Sequence, residues 1–297
     1  MSPATLRASA AAVLFGYALP VRIDFTKMHA LGNDFMIFEA PPGGALPSRT
    51  QWRTLADRHA GIGFDQALVL EPPRSAGSHT YYRIYNADGS EAEQCGNGAR
   101  CIARYLQMLG RGPAAGTLRL GSAGGEIEAR VRSDGSVAVD LGVPDFRPSS
   151  LPFLAPAAEA TYSMEAAGDH IEFGAVSMGN PHAVLRVEAV ENADVSGIGA
   201  ALQAHPRFPR QVNVGFMQII DSARIRLRVY ERGVGETLAC GTGACAAVAV
   251  GRSLGLLGPE VEVHVPGGRL GVHWDGPGER AWLTGPAAVA YTGRAEF

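Results

Sequence analysis

Residues 230–245 read YERGVGETLACGTGAC, and residues 85–101 read YNADGSEAEQCGNGARC. Laid over one another at a spacing of 145 residues, Tyr85 falls on Tyr230, Glu91 on Glu236, Cys95 on Cys240, Gly96 on Gly241, Gly98 on Gly243 and Ala99 on Ala244. Two looser matches, Gly32-Asn33 with Gly179-Asn180 and Gln66 with Asn213, fall at a spacing of 147. A period this long is not that of a solenoid, and it reads as duplication of a whole domain.

Outward from the repeated motifs, short alternating segments predict half-buried strands at 80–85, 126–131, 136–141, 224–230, 261–265 and 269–274, with a further strand starting at 22. One strong Ala- and Leu-rich helix is predicted in each half, over 99–109 and 244–254, each beginning at its cysteine. Many strands with one buried helix per half is an α+β pattern rather than a βαβ repeat. Residues 143–158, VPDFRPSSLPFLAPAA, carry four prolines and no periodicity, and read as a linker. The expected division is an extension over 1–21, a first domain over 22–142 and a second over 143–283.

The bulk composition narrows the function classes. Of 297 residues, 46% are hydrophobic and 19% charged, which is ordinary for a globular chain. A net charge of −3 offers no basic surface for nucleic acid. No apolar run is long enough to span a bilayer. Arg7 followed by the apolar stretch 8–19 outlines a weak signal peptide, but no small-residue cleavage site follows it. A cytoplasmic chain with reduced thiols is therefore expected. The four cysteines, Cys95, Cys101, Cys240 and Cys245, show neither the density of a disulfide scaffold nor C-x-x-C spacing, so no metal site is expected.

Cys-Gly-x-Gly-Ala at a helix start carries chemistry. The glycines let backbone amides turn toward a ligand. The helix N-terminus adds unpaired N–H groups and the positive end of the dipole, a ready site for a carboxylate, which also lowers a nearby thiol pKa from about 8.5. Each half thus offers an activated cysteine beside an anion cradle. Cys101 and Cys245 lie further along the helices, out of register, and are expected in the core. Asn33, Asn86, Asn97, Asn180 and Asn213, five of only six asparagines, sit in Gly-flanked or turn-like motifs. Turn chemistry explains each singly; together with Gln66 they form a polar set suited to a zwitterionic substrate.

With these residues in hand, the sequence resembles the bacterial diaminopimelate epimerase family. The resemblance is carried by MHALGNDFMIFE (28–39), GIGFDQ (61–66), YNADGSEAEQCGNGARC (85–101), GNPHAV (179–184), VNVGF (212–216) and YERGVGETLACGTGAC (230–245). It covers the chain from about residue 22 onward and leaves 1–21 unexplained. It implies two pseudo-symmetric β-barrel-like domains, each wrapped around a central helix, with the C-terminal strand, 284–297, completing the first. It implies that Cys95 and Cys240 are the catalytic pair and that the amides of Gly96-Asn97 and Gly241-Thr242 hold the α-carboxylate. It further implies that Asn33, Gln66, Asn86, Asn180, Asn213, Glu231 and Arg232 contact substrate, and that His182 and Glu231 tune the thiols. A cofactor-free enzyme acting on L,L- and meso-diaminopimelate, and by analogy a homodimer, follows from the same resemblance.

Inverting one carbon requires removing a proton from one face and returning one to the other. Two bases on opposite faces, one thiolate and one thiol, accomplish this, and a duplicated fold supplies them. The chain has a single lysine, Lys27, which counts against a pyridoxal phosphate anchor. Stabilisation of the carbanion is then expected from the helix starts. Arg232 is expected to be buried and to read a distal carboxylate, rejecting a substrate without one by roughly 10⁴-fold. Three rivals stand beside this reading. A proline or hydroxyproline racemase shares the two-cysteine plan. A dinucleotide-dependent oxidoreductase is suggested by Gly241-Thr242-Gly243-Ala244-Cys245-Ala246, with Glu260 and Glu262 about 20 residues on, although ERGVGETLA separates strand from glycines. A non-catalytic amino-acid-binding protein is the third.

Overall fold

The structure is a computed structural model and describes residues 20–92, 95–113 and 116–297. The expected extension, with its signal-like run, lies outside the described residues over 1–19. Val21 is described and exchanges both backbone hydrogen bonds with Phe297, at 2.9 and 3.0 Å.

The first half runs β1 (Arg22–Ala30), β2 (Asn33–Glu39), α1 (Arg49–Ala56), β3 (Gln66–Glu71), β4 (Thr80–Asn86), β5 (Glu91–Ala92), α2 (Gly96–Met108), β6 (Leu118–Ser122), β7 (Gly125–Val131) and β8 (Val137–Asp140). The second opens with an additional strand, β9 (Tyr162–Ala166). It then repeats the same order as β10 (Asp169–Ser177), β11 (Pro181–Arg186), α3 (Val195–Ala204), β12 (Asn213–Asp221), β13 (Arg224–Glu231) and β14 (Gly235–Thr237). It closes with α4 (Gly241–Ser253), β15 (Glu260–Val265), β16 (Gly268–His273) and β17 (Trp282–Gly285). The last strand, β18 (Ala288–Glu296), pairs with β1, as β9 pairs with β10.

The pairings repeat as faithfully as the order. β2 with β3, β4 with β6, β11 with β12 and β13 with β15 are parallel, and the remaining neighbours are antiparallel. Each parallel pair is spanned by one of four helices among the described residues, so every half contains two strand–helix–strand crossovers. The sequence reading expected none, because α1 is short and largely polar and α3 carries two glycines. Parallel neighbours need a crossover, and a short helix is its usual form. The two halves join where β8 pairs antiparallel with its own counterpart β17, Val139 opposite Leu283.

The repeated helices occupy equivalent positions and have equivalent ends. α2 buries Ala99, Ile102, Ala103 and Leu106, and α4 buries nearly every residue from Gly243 to Gly251. Both stop at a leucine followed by a left-handed glycine, Gly110 (φ 67°) and Gly255 (φ 73°), whose amides bond back to Gln107 and Arg252. The two helices share one apolar core that runs through both halves. A smaller cluster lies outside each sheet. Trp52 and Leu55 of α1 pack with Phe38, Phe64 and Tyr85 in the first half, and Val195 and Leu202 of α3 pack with Phe173, Phe208 and Phe216 in the second.

Residues 143–158 are not a loose linker. Asp145 bridges to Ser177 through both backbone bonds, at 3.0 and 2.8 Å, and Pro148–Ser150 form a 3-10 turn. Leu151 and Phe153 are buried in the second-half cluster. Four prolines hide the periodicity of this stretch, but its apolar side chains still leave water.

Candidate active site

Each repeated cysteine is the N-cap of a central helix. Cys95, partly exposed, has extended backbone (φ −149°, ψ 107°) and its Sγ accepts from the Gly98 amide at 3.4 Å, so the thiol itself caps α2. Cys240, 5% exposed, has similar backbone (φ −106°, ψ 110°), and its Sγ lies 3.6 Å from the Thr242 hydroxyl. Cys101 and Cys245 are buried in the core, and all four cysteines are free thiols.

The two helix starts meet. Asn97, the second residue of α2, donates through Nδ2 to the Ala239 carbonyl at 3.2 Å, immediately before Cys240. Gly241 opens α4 against the same asparagine: a Cβ there would lie 3.7 Å from Asn97 Oδ1 and 2.7 Å from Leu283 Cδ2. Only glycine permits that approach.

Behind each thiol runs a short relay. In the first half Arg100 Nη2 donates to Asn97 Oδ1 at 2.9 Å, Asn97 Nδ2 donates to Asn33 Oδ1 at 3.1 Å, and Asn33 Oδ1 lies 3.9 Å from Cys95 Sγ. In the second half His182 Nε2 bonds Asn180 Oδ1 at 3.0 Å, and Asn180 Nδ2 donates to Thr242 Oγ1 at 3.4 Å, beside Cys240. An amide oxygen can only accept, so Nε2 carries the proton of His182. Its other nitrogen, Nδ1, is buried without a partner among the described residues. Burial and the nearby Arg232 hold the His182 pKa down at about 3, so the ring is neutral at pH 7.

Electrostatics corrects one expectation. The helix starts were expected to lower both thiol pKa values, yet both are raised. Burial is the largest cause in each case, and the Glu231 carboxylate adds to it at both sulfurs. The Gly98 and Asn97 amides and Arg100 oppose this at Cys95, and Thr242 opposes it at Cys240. Desolvation of a thiolate outweighs a partial helix charge. Glu231 therefore lies within electrostatic reach of both thiols, and its Oε1 accepts from the Thr237 hydroxyl.

Among the other expected residues, Asn213 is buried and ties the second-half loops together, donating to the Pro181 carbonyl at 3.0 Å and accepting from the Arg232 amide at 2.9 Å. Gln66 donates to Asn86 at 2.9 Å, and Asn86 donates to Ser90 at 3.0 Å. None of these bonds reaches the helix starts. Arg232 is exposed rather than buried, with Nη1 on the Arg210 carbonyl at 3.3 Å. Among the described residues no carboxylate pairs with it, and an unpaired guanidinium costs least in water. Glu91 and Glu236, part of the repeated motif, pair with Arg83 and Arg228 at 2.8 and 2.6 Å and are structural. Lys27 is held by Asp34 at 2.6 Å and by the Gly63 carbonyl. Among the described residues no group of three His, Cys, Asp or Glu side chains is placed to hold a metal, and no helix is long and apolar enough to cross a membrane.

The residue that sequence reasoning missed is Arg100. It is fully buried, among the largest side chains of the core, and among the described residues its Nε and Nη1 have no hydrogen-bond partner. Such orphan donors cost about 1–3 kcal/mol each, and more on a charged group. One signal was available: Arg100 stands three residues after Asn97, on the same face of α2.

Solved structures with this fold include a hydroxyproline epimerase from Agrobacterium vitis, with a TM-score of 0.67, 18% identity, and 93% of each chain covered. A phenazine biosynthesis protein of the PhzF family from Bacillus anthracis matches with a TM-score of 0.64 and 16% identity, over 93% of this chain and 99% of that one. A methylitaconate-delta-isomerase matches with a TM-score of 0.60 and 12% identity, over 94% and 96%. At these identities the likeness is one of fold. The family described as diaminopimelate epimerase matches at residues 25–147 and 174–290, one stretch in each half. This chain therefore belongs to the diaminopimelate epimerase family.

Proposed function

We propose that this chain interconverts L,L- and meso-diaminopimelate without a cofactor, using Cys95 and Cys240 as a thiolate–thiol pair on opposite faces of one α-carbon. The observation that carries the reading is the junction at Asn97 and Ala239, which brings two cysteine-capped helix starts together. One thiolate takes the α-proton and becomes a thiol. The other thiol delivers its proton to the opposite face and becomes the thiolate, so the pair ends with its roles exchanged. The carboxylate that gains enolate-like charge between these events faces the amides of Gly96-Asn97 and Gly241-Thr242. One well-placed donor contributes about 3–4 kcal/mol in a dry site.

Asn33 and Asn180 orient the helix-start residues, and Glu231 places a negative charge within reach of both sulfurs. Such a charge opposes ionisation of either thiol, and repulsion between the two sulfurs themselves keeps a second thiolate from forming once one is present. In this reading Arg232, whose backbone amide is held by Asn213, meets a distal carboxylate. The proposed division is 22–142, completed by 284–297, and 143–283. A cytoplasmic homodimer is proposed with it, and sedimentation of the purified chain checks the dimer.

The test is incubation in D2O with L,L-diaminopimelate, followed by NMR at the α-carbons. Deuterium entering one α-position with inversion is the expected result. Exchange of proline or hydroxyproline instead would reassign the substrate to the class named by the Agrobacterium vitis structure. Binding without exchange would identify a non-catalytic binder, and activity that required added nucleotide would identify an oxidoreductase.

A further inference from the structure

Arg100 is hard to explain as structure alone. It is a core guanidinium at 0% exposure, and among the described residues no carboxylate pairs with it. Among the described residues its one hydrogen bond goes to Asn97 Oδ1, at 2.9 Å. That bond decides the asparagine's orientation. With Oδ1 turned toward a donor, Nδ2 must face Asn33 and the Ala239 carbonyl, which it does at 3.1 and 3.2 Å. The guanidinium also underlies the second helix start, since a Cβ on Gly241 would stand 4.0 Å from its Nη1. A fixed positive charge therefore sits behind two helix N-termini that already carry positive partial charge. Stacking like charges in the core is unfavourable unless anions face them from the other side.

We propose that Arg100 is a positioning residue of the two-thiol site: it aims the Asn97 amide across the seam between the halves and supplies the permanent positive charge behind the α2 start that a thiolate at Cys95 rests on. The inference deepens the proposed function and rests on that reading for its kinetic consequence. Among the described residues the titratable groups that face Cys95 are Glu231 from β13, Tyr82 from β4, and Arg100 and Cys101 from α2 itself. Among these described residues Arg100 is the one cation. Its charge opposes burial and Glu231 at that sulfur.

The experiment has two arms, on the full chain. In the first, needing no substrate, the rate of Cys95 alkylation by iodoacetamide is followed from pH 6 to 10 by peptide mapping, where below the midpoint an upward shift of one pH unit is read as an about tenfold slower rate. Arg100→Met is expected to move the Cys95 midpoint up by about one pH unit or more, and Arg100→Lys to move it less, because the charge is kept. In the second, α-proton exchange of L,L-diaminopimelate is expected to lose kcat by about tenfold or more with Arg100→Met while KM changes little, since proton transfer and not substrate contact is affected. Circular dichroism checks that each variant is folded. Should Arg100→Met not fold, Arg100→Gln removes the charge while keeping one donor for Asn97, and the same midpoint shift is expected. A folded neutral variant whose Cys95 midpoint matches the wild type overturns the proposal. The alkylation arm is read whether or not the wild type epimerises diaminopimelate, so failure of the proposed substrate and failure of the Arg100 role are told apart.

Discussion

Behind Cys95 the side chains run Asn33, Asn97, Arg100; behind Cys240 they run Thr242, Asn180, His182. Asn33 and Asn180 are equivalent in the duplication, as are Asn97 and Thr242. In the first half the helix-start residue donates to the loop asparagine, and in the second the loop asparagine donates to the helix-start residue. The outer ends of the relays are where the repeat fails. At the position of Arg100 the second half has Cys245, and at the position of His182 the first half has Phe35. One relay therefore ends on a buried cation and the other on a buried neutral ring. Duplication places two thiols alike, and unrepeated residues behind them make their environments unequal. In the proposed two-base reaction the first feature would bring two sulfurs to one carbon, and the second would bias which sulfur holds the shared proton at rest.

The sharpest way to break this comparison is to remove one thiol at a time. Cys95→Ser and Cys240→Ser are each expected to lower α-proton exchange by about 10⁴-fold or more, while Cys101→Ser and Cys245→Ser stay within about tenfold of wild type. Near-normal turnover after loss of either Cys95 or Cys240 would end the two-base reading.

The next effect tests the arginine that exists only in the second half. Because Arg232 is exposed, its discrimination is expected to be that of charge-assisted hydrogen bonds, about 100-fold, below the roughly 10⁴-fold a buried guanidinium gives. Lysine should then exchange its α-proton about 100-fold more slowly than L,L-diaminopimelate, and Arg232→Ala should erase most of that gap. A gap unchanged in the alanine variant would remove Arg232 from substrate recognition.

A smaller effect is expected from the hydroxyl beside Cys240. Thr242→Val deletes the one side chain that opposes burial at that sulfur. It should slow exchange by about tenfold and delay Cys240 alkylation to higher pH, leaving Cys95 alkylation unchanged. Equal shifts at both cysteines would mean that the two relays are not independent.

The last effect is read in stability rather than in rate. The folded-state pKa of His182, about 3, lies below its unfolded value of about 6.5, so the unfolded chain binds the extra proton between those values. The contribution of His182 is thus fully present above about pH 6.5 and is lost as pH falls toward 3. His182→Gln should flatten the pH dependence of urea unfolding over that window by up to about 1.4 kcal/mol per pH unit. Parallel curves for wild type and variant would show that the ring is not held neutral by the fold.

The sequence alone determined the duplication, the two cysteine-started helices and the all-round strand pattern, because each is written in local spacing: a repeated motif, an apolar stripe, alternation. The helix boundaries, Gly96–Met108 and Gly241–Ser253, lie within a few residues of those expected. α1 and α3 were not legible, since RTQWRTLA is largely polar and VSGIGAALQA carries two glycines. Both are helical because they close parallel crossovers and cover the outer sheet faces. Tertiary structure also decided everything that depends on burial. An arginine is ordinarily placed at the surface, yet Arg100 is enclosed and Arg232 is not. A thiol at a helix start is ordinarily expected to be acidified, yet enclosure pushes Cys95 and Cys240 the other way. The neighbours that set burial and charge at these atoms, Glu231 for Cys95 and Ala239 for Asn97, come from the other half of the chain. No local pattern encodes them, because the contact exists only once both halves have folded and met.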